Sequence, residues 1–126
     1  MIHRSLVLVR HGESQGNQRN VFTGWLDLPL TAKGLGEARA AGVRLREQGF
    51  NFGTAFTSAL SRAVASCDAL LAQLDLGPVD RLATAALNER DYGELAGLDK
   101  DQARARFGAD QVRLWRRSYA FAPPGG

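Results

Sequence analysis

Ser5-Leu6-Val7-Leu8-Val9-Arg10-His11-Gly12 is the stretch on which the fold turns, a β-branched and aliphatic run that stops at two basic side chains and a glycine. Apolar residues on both alternating faces predict a strand over residues 5–9, buried on both sides as in a parallel sheet. Working outward, Thr31 predicts an N-cap, and Leu35, Ala38, Gly42 and Leu45 recur at helical spacing before Gly49 stops the helix. Residues 54–58 read as a second strand. Ser58 is placed to cap a helix over about residues 60–74, which Gly77-Pro78 closes. Residues 82–87 form a further strand candidate, followed by a polar loop over 88–97 and a short helix after Asp99. Strands alternating with helices predict an α/β sheet with right-handed crossovers. Ligands of such sheets sit beyond the carboxyl ends of the strands, where the Arg10-His11-Gly12 turn lies.

The chain of 126 residues fits one domain over residues 1–126. Hydrophobic residues make up 44% and charged residues 23%, the balance of a globular protein rather than a disordered or membrane-spanning one. The apolar run near the N-terminus is too short for a signal-peptide core or a transmembrane helix, so the expected location is cytoplasmic. Cys67 has no second cysteine to pair with, and its apolar helical setting predicts a buried small hydrophobe. A net charge of +3 suits anionic small substrates. No lysine-rich run or series of stacking aromatics accompanies it, so neither nucleic acid nor membrane is an expected partner.

A histidine at the tip of a strand, after an arginine and before a glycine, joins a nucleophile, a phosphate-binding cation and a permissive turn. That combination suits phosphoryl transfer, because neutral imidazole attacks phosphorus while arginine binds the transferred anionic group bidentately. Arg62 is the second candidate cation, in the first turn of a helix where backbone amides also favour an anion. Taken singly, each of these residues is more often a surface group. His3 lacks any such context and is assigned to the surface. Two histidines and one cysteine without ligand spacing predict no metal site.

Together the segments carry a specific pattern. Leu8-Val9-Arg10-His11-Gly12-Glu13-Ser14 with Asn17 resembles the phosphohistidine signature of the histidine phosphatase superfamily. Phe22-Thr23-Gly24-Trp25, Leu30-Thr31-Ala32-Lys33-Gly34, Thr57-Ser58 with Arg62, Leu87-Asn88-Glu89-Arg90, Tyr92-Gly93 and Trp115-Arg116-Arg117 are similar to the cofactor-dependent phosphoglycerate mutases. The resemblance covers essentially the whole chain and implies a three-layer α/β sandwich with a mostly parallel central sheet. It implies that His11 accepts a phosphoryl group and passes it between the 2 and 3 positions of glycerate, with 2,3-bisphosphoglycerate as primer and no metal. Glu89 would donate and accept the substrate proton, a role that a raised pKa serves. Arg10, Asn17 and Arg62 would hold the transferring group, with Ser14 and the Thr23-Gly24 backbone on the glycerate. Arg90, Tyr92, Lys100, Arg116 and Arg117 would grip the carboxylate and second phosphate. Relatives of this kind are commonly dimers, which makes a homodimer an assembly open to this chain.

The chain departs from the family's pattern at Gly16, where many relatives carry tryptophan, and at Asp91, where many carry histidine. Asp91 would set a second carboxylate beside Glu89, while Gly16 gives up an aromatic contact. The second family histidine, in a Gly-His-Gly-Asn-like turn after a later strand, has no counterpart here. This predicts a C-terminally incomplete version of a longer enzyme, in which the strand at residues 5–9 exposes apolar surface and unpaired backbone. The tail Pro123-Pro124-Gly125-Gly126 reads as linker-like. Three functions fit these observations: the mutase, a small-molecule phosphatase of the same superfamily, and a noncatalytic ligand-binding chain. The distal cations Lys100, Arg116 and Arg117 favour the first.

Overall fold

The computed structural model describes residues 4–75 and 77–126, so His3 lies outside the described residues. In chain order the elements are α1 (Gln15–Gln18), α2 (Ala32–Glu47), β1 (Thr54–Thr57), α3 (Ser61–Leu71), β2 (Asp80–Ala83), α4 (Lys100–Phe107) and α5 (Ala109–Arg117). Two 3-10 turns, Ala85–Leu87 and Gly93–Leu95, lie between β2 and α4. The fold is α/β with a parallel sheet: β1 pairs with β2 in the register Thr54 to Asp80 and Thr57 to Ala83, with α3 as the crossover. No helix among the described residues is long and apolar enough to cross a membrane.

Local chemistry accounts for most element boundaries. The Thr31 hydroxyl accepts from the Gly34 amide and starts α2, which ends before Gly49 at φ 77°. Asp99 accepts from the amides of Asp101 and Gln102 and starts α4. Gly34, Ala38 and Gly42 recur every four residues on the buried stripe of α2. Small side chains there let α3 approach closely, and a Cβ on Gly42 would overlap the Leu70 carbonyl.

Residues 5–9 do not form the expected strand. Leu6 and Leu8 are 84% and 85% exposed, because no strand among the described residues lies beside them to complete a ladder or cover a face. The expected exposure of apolar surface is thus present, and it extends to Phe56 and Leu82, which share the sheet face turned away from α3. The third strand candidate is displaced. β2 ends at Ala83, and the Thr84 hydroxyl then accepts from the Ala86 amide to turn the chain into a 3-10 helix.

Three further expectations are corrected. Leu60, not Ser58, is the N-cap of α3; the Ser58 hydroxyl instead accepts from the Leu60 amide at 3.3 Å, and the helix ends at Leu71. Cys67 is only half-buried, next to Arg81 of β2. The C-terminal tail is packed rather than linker-like: Pro123 is buried, and the Pro124 carbonyl accepts from the Glu94 amide at 2.8 Å. The main apolar cluster joins Phe22, Leu95, Ala103, Val112 and Trp115, with Tyr92, Leu98 and Phe107 packed against it. It forms because the 20–22 segment pairs with 97–100, through Phe22 N–H to Leu98 O at 2.9 Å and Gly97 N–H to Phe22 O at 2.7 Å.

The true cap of α3 comes from another loop, since Asp27 accepts from both the Ser61 amide and the Ser61 hydroxyl at 2.7 Å. The hydroxyl and amide lower the Asp27 pKa, Arg62 adds to this, and burial opposes it. A carboxyl with a depressed folded pKa contributes fully above its unfolded value near 3.8 and ceases to contribute as pH falls through the folded value. Asp27→Ala is therefore expected to cost about 1 kcal/mol at pH 7. In urea titrations this deficit should vanish in acid below the ordinary carboxylate range; a deficit that persists there would contradict the cap.

Candidate active site

His11 follows the extended segment and is held by a turn packed on helices. Its Nδ1 lies 2.6 Å from the Gly12 carbonyl oxygen, an atom that can only accept, so Nδ1 carries a proton and, in the neutral ring, the lone pair is on Nε2. Gly12 N–H donates to the Ser66 hydroxyl of α3 at 3.0 Å, and Glu13 N–H donates to the Glu37 carboxylate of α2 at 3.0 Å. The turn lies so close to the start of α2 that a Cβ on Gly12 would overlap the Gly34 carbonyl, and one on Gly34 would overlap the Glu13 carbonyl. Only glycine fits at either position. Ser14 then caps α1 in a reciprocal box with Asn17: Asn17 N–H donates to Ser14 Oγ, and Ser14 N–H donates to Asn17 Oδ1.

A cleft of about 400 Å³ opens beside His11, lined by Arg10, Gly12, Glu13 and Asn17 and, from α2, Lys33, Glu37, Ala38 and Ala41. Next to it the 22–25 loop is clamped by Arg62, which is 2% exposed. The Arg62 guanidinium donates to the carbonyls of Gly24 at 2.7 Å and Leu26 at 3.1 Å. Burial pulls its pKa down, and Glu89 and Asp27 oppose that. Gly24, at φ 53°, lies against the backbone of Arg90 and Tyr92. Trp25 Nε1–H donates to the Glu89 carbonyl at 2.6 Å, and Ala59 N–H donates to Asn88 Oδ1 at 3.0 Å. These bonds fix the 88–92 segment over the start of α3, with the Glu89 carboxylate exposed and accepting from the Arg90 amide.

The C-terminal cations reach the same neighbourhood. Burial lowers the Lys100 pKa, and Arg116, Arg104, Arg10 and Arg117 lower it further by repulsion. Burial also raises the Tyr92 pKa, as does Glu89, while Arg90, Arg116 and Arg117 oppose this. Charges from residues 10, 90, 100, 104 and 116–117 therefore act on one region. Lys100 is placed there by the pairing of 20–22 with 97–100, its Nζ standing 5.9 Å from the Phe22 ring centre. None of Arg10, Arg62, Lys100, Arg116 and Arg117 forms an ion pair among the described residues. Such an arrangement is suited to a small, multiply charged anion.

Of the expected site residues, Arg10, His11 and Asn17 line the cleft; Lys100 feels the charges of Arg10, Arg116 and Arg117, Tyr92 those of Glu89, Arg90, Arg116 and Arg117, and Arg62 that of Glu89. The Ser14 side chain is 1% exposed and fully occupied by the α1 cap. The Asp91 carboxylate accepts from the Gly93 amide at 2.9 Å and shapes the turn after Glu89. Gly16 is buried where a Cβ would overlap the Thr23 methyl, so its small size lets α1 meet the 22–25 loop. Sequence reasoning passed over Glu37, Ser66 and Asp27. Glu37 was findable, since it lies one turn after Gly34 on the face of α2 that must meet the nucleophile turn.

Comparison with known proteins agrees with this geometry. Residues 6–126 match the histidine phosphatase superfamily (branch 1). The chain is 54% identical to a 2,3-bisphosphoglycerate-dependent phosphoglycerate mutase of Azorhizobium caulinodans, over 98% of this chain and 60% of that protein. It is 55% identical to the protein of the same description from Brucella anthropi, again over 98% and 60%. It thus spans about 60% of the length of the curated relatives it matches. Among solved structures, a mycobacterial glucosyl-3-phosphoglycerate phosphatase aligns with a TM-score of 0.76 at 31% identity, covering 92% of this chain and 55% of that one. A family match across nearly all of the sequence, with an Arg-His-Gly turn opening on a polar cleft, leads to one assignment: the chain belongs to the histidine phosphatase superfamily, branch 1.

Proposed function

We propose that this chain serves as a 2,3-bisphosphoglycerate-dependent phosphoglycerate mutase, a cytoplasmic enzyme of glycolysis and gluconeogenesis that interconverts 2- and 3-phosphoglycerate. The observation that carries this reading is the clustering of Arg10, the neighbour of His11 in sequence, with Lys100, Arg116 and Arg117 from distant segments, near enough to lower the Lys100 pKa by repulsion. A phosphatase needs cations for one phosphate, whereas a mutase must hold a second anionic end while the first reacts. The donor set fits the bisphosphorylated glycerate, being rich in cations that lack carboxylate partners among the described residues. When bound, 2,3-bisphosphoglycerate supplies the phosphoryl group that primes the histidine.

His11 Nε2 forms the bond to phosphorus, and the Nδ1 proton stays on the ring throughout, donated in a hydrogen bond to the Gly12 carbonyl. Arg10, Asn17 and Arg62 hold the transferring group; Arg62 has five N–H donors, of which two serve the 22–26 loop. Glu89 gives a proton to the departing oxygen and recovers it in the reverse step. Arg90, Tyr92, Lys100, Arg116 and Arg117 hold the carboxylate and the distant phosphate, with the Thr23-Gly24 backbone bordering the glycerate; Ser14, buried in the α1 cap, supports Asn17 rather than touching the ligand. A second reading, a small-molecule phosphatase, is favoured by the likeness to a phosphatase of known structure. One assay separates them: the mutase transfers phosphate between glycerate positions, and the phosphatase releases it to water.

Intact mass before and after incubation with 2,3-bisphosphoglycerate should show the gain of one acid-labile phosphoryl group, and His11→Ala should abolish it. Retention of a histidine-linked phosphate in that variant would remove His11 from the nucleophile's role. Glu89→Gln is expected to lower kcat by about a hundredfold with little change in KM; equal kcat with raised KM would make Glu89 a binding group only. Lys100→Met relieves repulsion, since a lysine whose folded pKa is depressed costs stability below that pKa and ceases to as pH rises toward its unfolded value. That variant should gain about 2 °C in Tm at neutral pH while binding phosphoglycerate more weakly. A lower Tm would show that Lys100 is structural.

A further inference from the structure

The Gly12–Glu13 peptide unit is gripped at both ends. Its carbonyl accepts a hydrogen bond from His11 Nδ1–H at 2.6 Å, and its N–H donates to the Glu37 carboxylate at 3.0 Å. The preceding amide, Gly12 N–H, is held separately by Ser66, whose hydroxyl donates in turn to the Arg62 carbonyl at 2.7 Å. The following amide, Ser14 N–H, is held by Asn17. Three consecutive amides after the histidine thus meet side chains of three helices. Of those side chains only Glu37 is charged, and only Glu37 shares a peptide unit with the contact to His11.

We propose that Glu37 is a positioning residue for phosphoryl transfer at His11, acting through the Gly12–Glu13 peptide to keep the imidazole in its Nδ1–H tautomer. The inference rests on the reading of His11 as the nucleophile. A carboxylate on the N–H end of an amide polarises it and strengthens the carbonyl as an acceptor. The arrangement resembles the carboxylates that orient histidines elsewhere, with one peptide interposed. A proton on Nε2 would block attack. With the proton held on Nδ1, the Nε2–P bond forms as the donor's P–O bond breaks, the departing oxygen takes its proton from Glu89, and the Nδ1 proton does not move. The ring then carries positive charge, which the polarised carbonyl stabilises.

The other charged groups at the turn do not substitute for Glu37. The Glu13 carboxylate accepts from the Thr31 hydroxyl at 2.8 Å and lies 3.9 Å from Lys33 Nζ, so it is engaged at the start of α2. Arg10 lines the cleft as a cation, and Arg62 uses two of its donors on the 24 and 26 carbonyls and makes no bond to the Gly12–Glu13 peptide. The Glu37 bond is solvent-accessible, so its influence comes through geometry first and charge second.

The test is nitrogen-15 NMR of the His11 ring, assigned against His11→Ala, at a pH where the imidazole is neutral, alongside the rate of phosphoryl uptake from 2,3-bisphosphoglycerate. Glu37→Ala is expected to shift His11 toward the mixed tautomers of free imidazole and to slow uptake about tenfold. Glu37→Gln, whose amide oxygen still accepts from the Glu13 amide, should restore the tautomer and part of the rate. Glu47→Gln, removing a carboxylate elsewhere on α2, should change neither. An unchanged tautomer in Glu37→Ala with normal uptake overturns the role of Glu37 and leaves His11 as the nucleophile. A wild-type chain that takes up no phosphoryl group overturns the nucleophile reading and this proposal with it.

Discussion

Gly12 and Gly34 meet with no room for a side chain on either, and the geometry of the cleft depends on that contact. It sets the nucleophile turn directly on the first turn of α2, which is why Glu37, one turn further on, reaches the Glu13 amide. The same helix presents Ala38 and Gly42 to α3, so a line of small residues carries the close packing from the histidine turn to the second helix. From there α3 contributes Ser66 to the Gly12 amide and Arg62 to the 22–26 loop. A larger group at any point along this line would separate His11 from Arg62, because close-packed interiors transmit a displacement rather than absorb it.

Against this tight frame the cations stand in mutual repulsion. Arg10, Lys100, Arg104, Arg116 and Arg117 lie near enough for four of them to depress the fifth's pKa. The free protein accepts this because the apolar cluster of Phe22, Leu95, Ala103, Val112 and Trp115 lies under the same segments, and Arg90 is tied to it through the Trp115 carbonyl. Burial of such side chains contributes about 1.5–3 kcal/mol apiece, more than the repulsion of partly hydrated charges removes. Clustered cations of this kind cost stability in the free protein, and on the proposed reading a bound anion would relieve that cost, the common trade between stability and activity.

What could be read in advance was whatever is decided by neighbours in sequence. Thr31 and Asp99 cap helices with their own side chains three or fewer residues away, and both were legible. The cap of α3 was not, because its acceptor, Asp27, comes from 34 residues upstream while Ser58 offers the same chemistry nearby. α5 was missed because its surface is largely charged; the signal present was the pair Val112 and Trp115, three apart on one buried stripe after Gly108. The site residues were legible as types through their motifs. Their convergence was legible only by resemblance, since it depends on the pairing of 20–22 with 97–100, which no local pattern announces.

The apolar run before His11 shows the limit of strand reasoning in another way. Val and Leu in alternation specify a surface to be covered on two sides and a backbone to be paired at two edges, and neither requirement can be met from within the run. Here Leu6 and Leu8 stand exposed, and Phe56 and Leu82 stand exposed on the free face of a sheet that has two strands among the described residues. Both surfaces retain unrealised burial and unpaired edges, which favour association over solution. Yet the turn that follows the run is fully anchored, since its three amides and the His11 ring are bonded to groups outside the sheet. Helix-borne side chains therefore set the geometry of the His11 turn here, and a strand at residues 5–9 would add stability and rigidity to a position already defined.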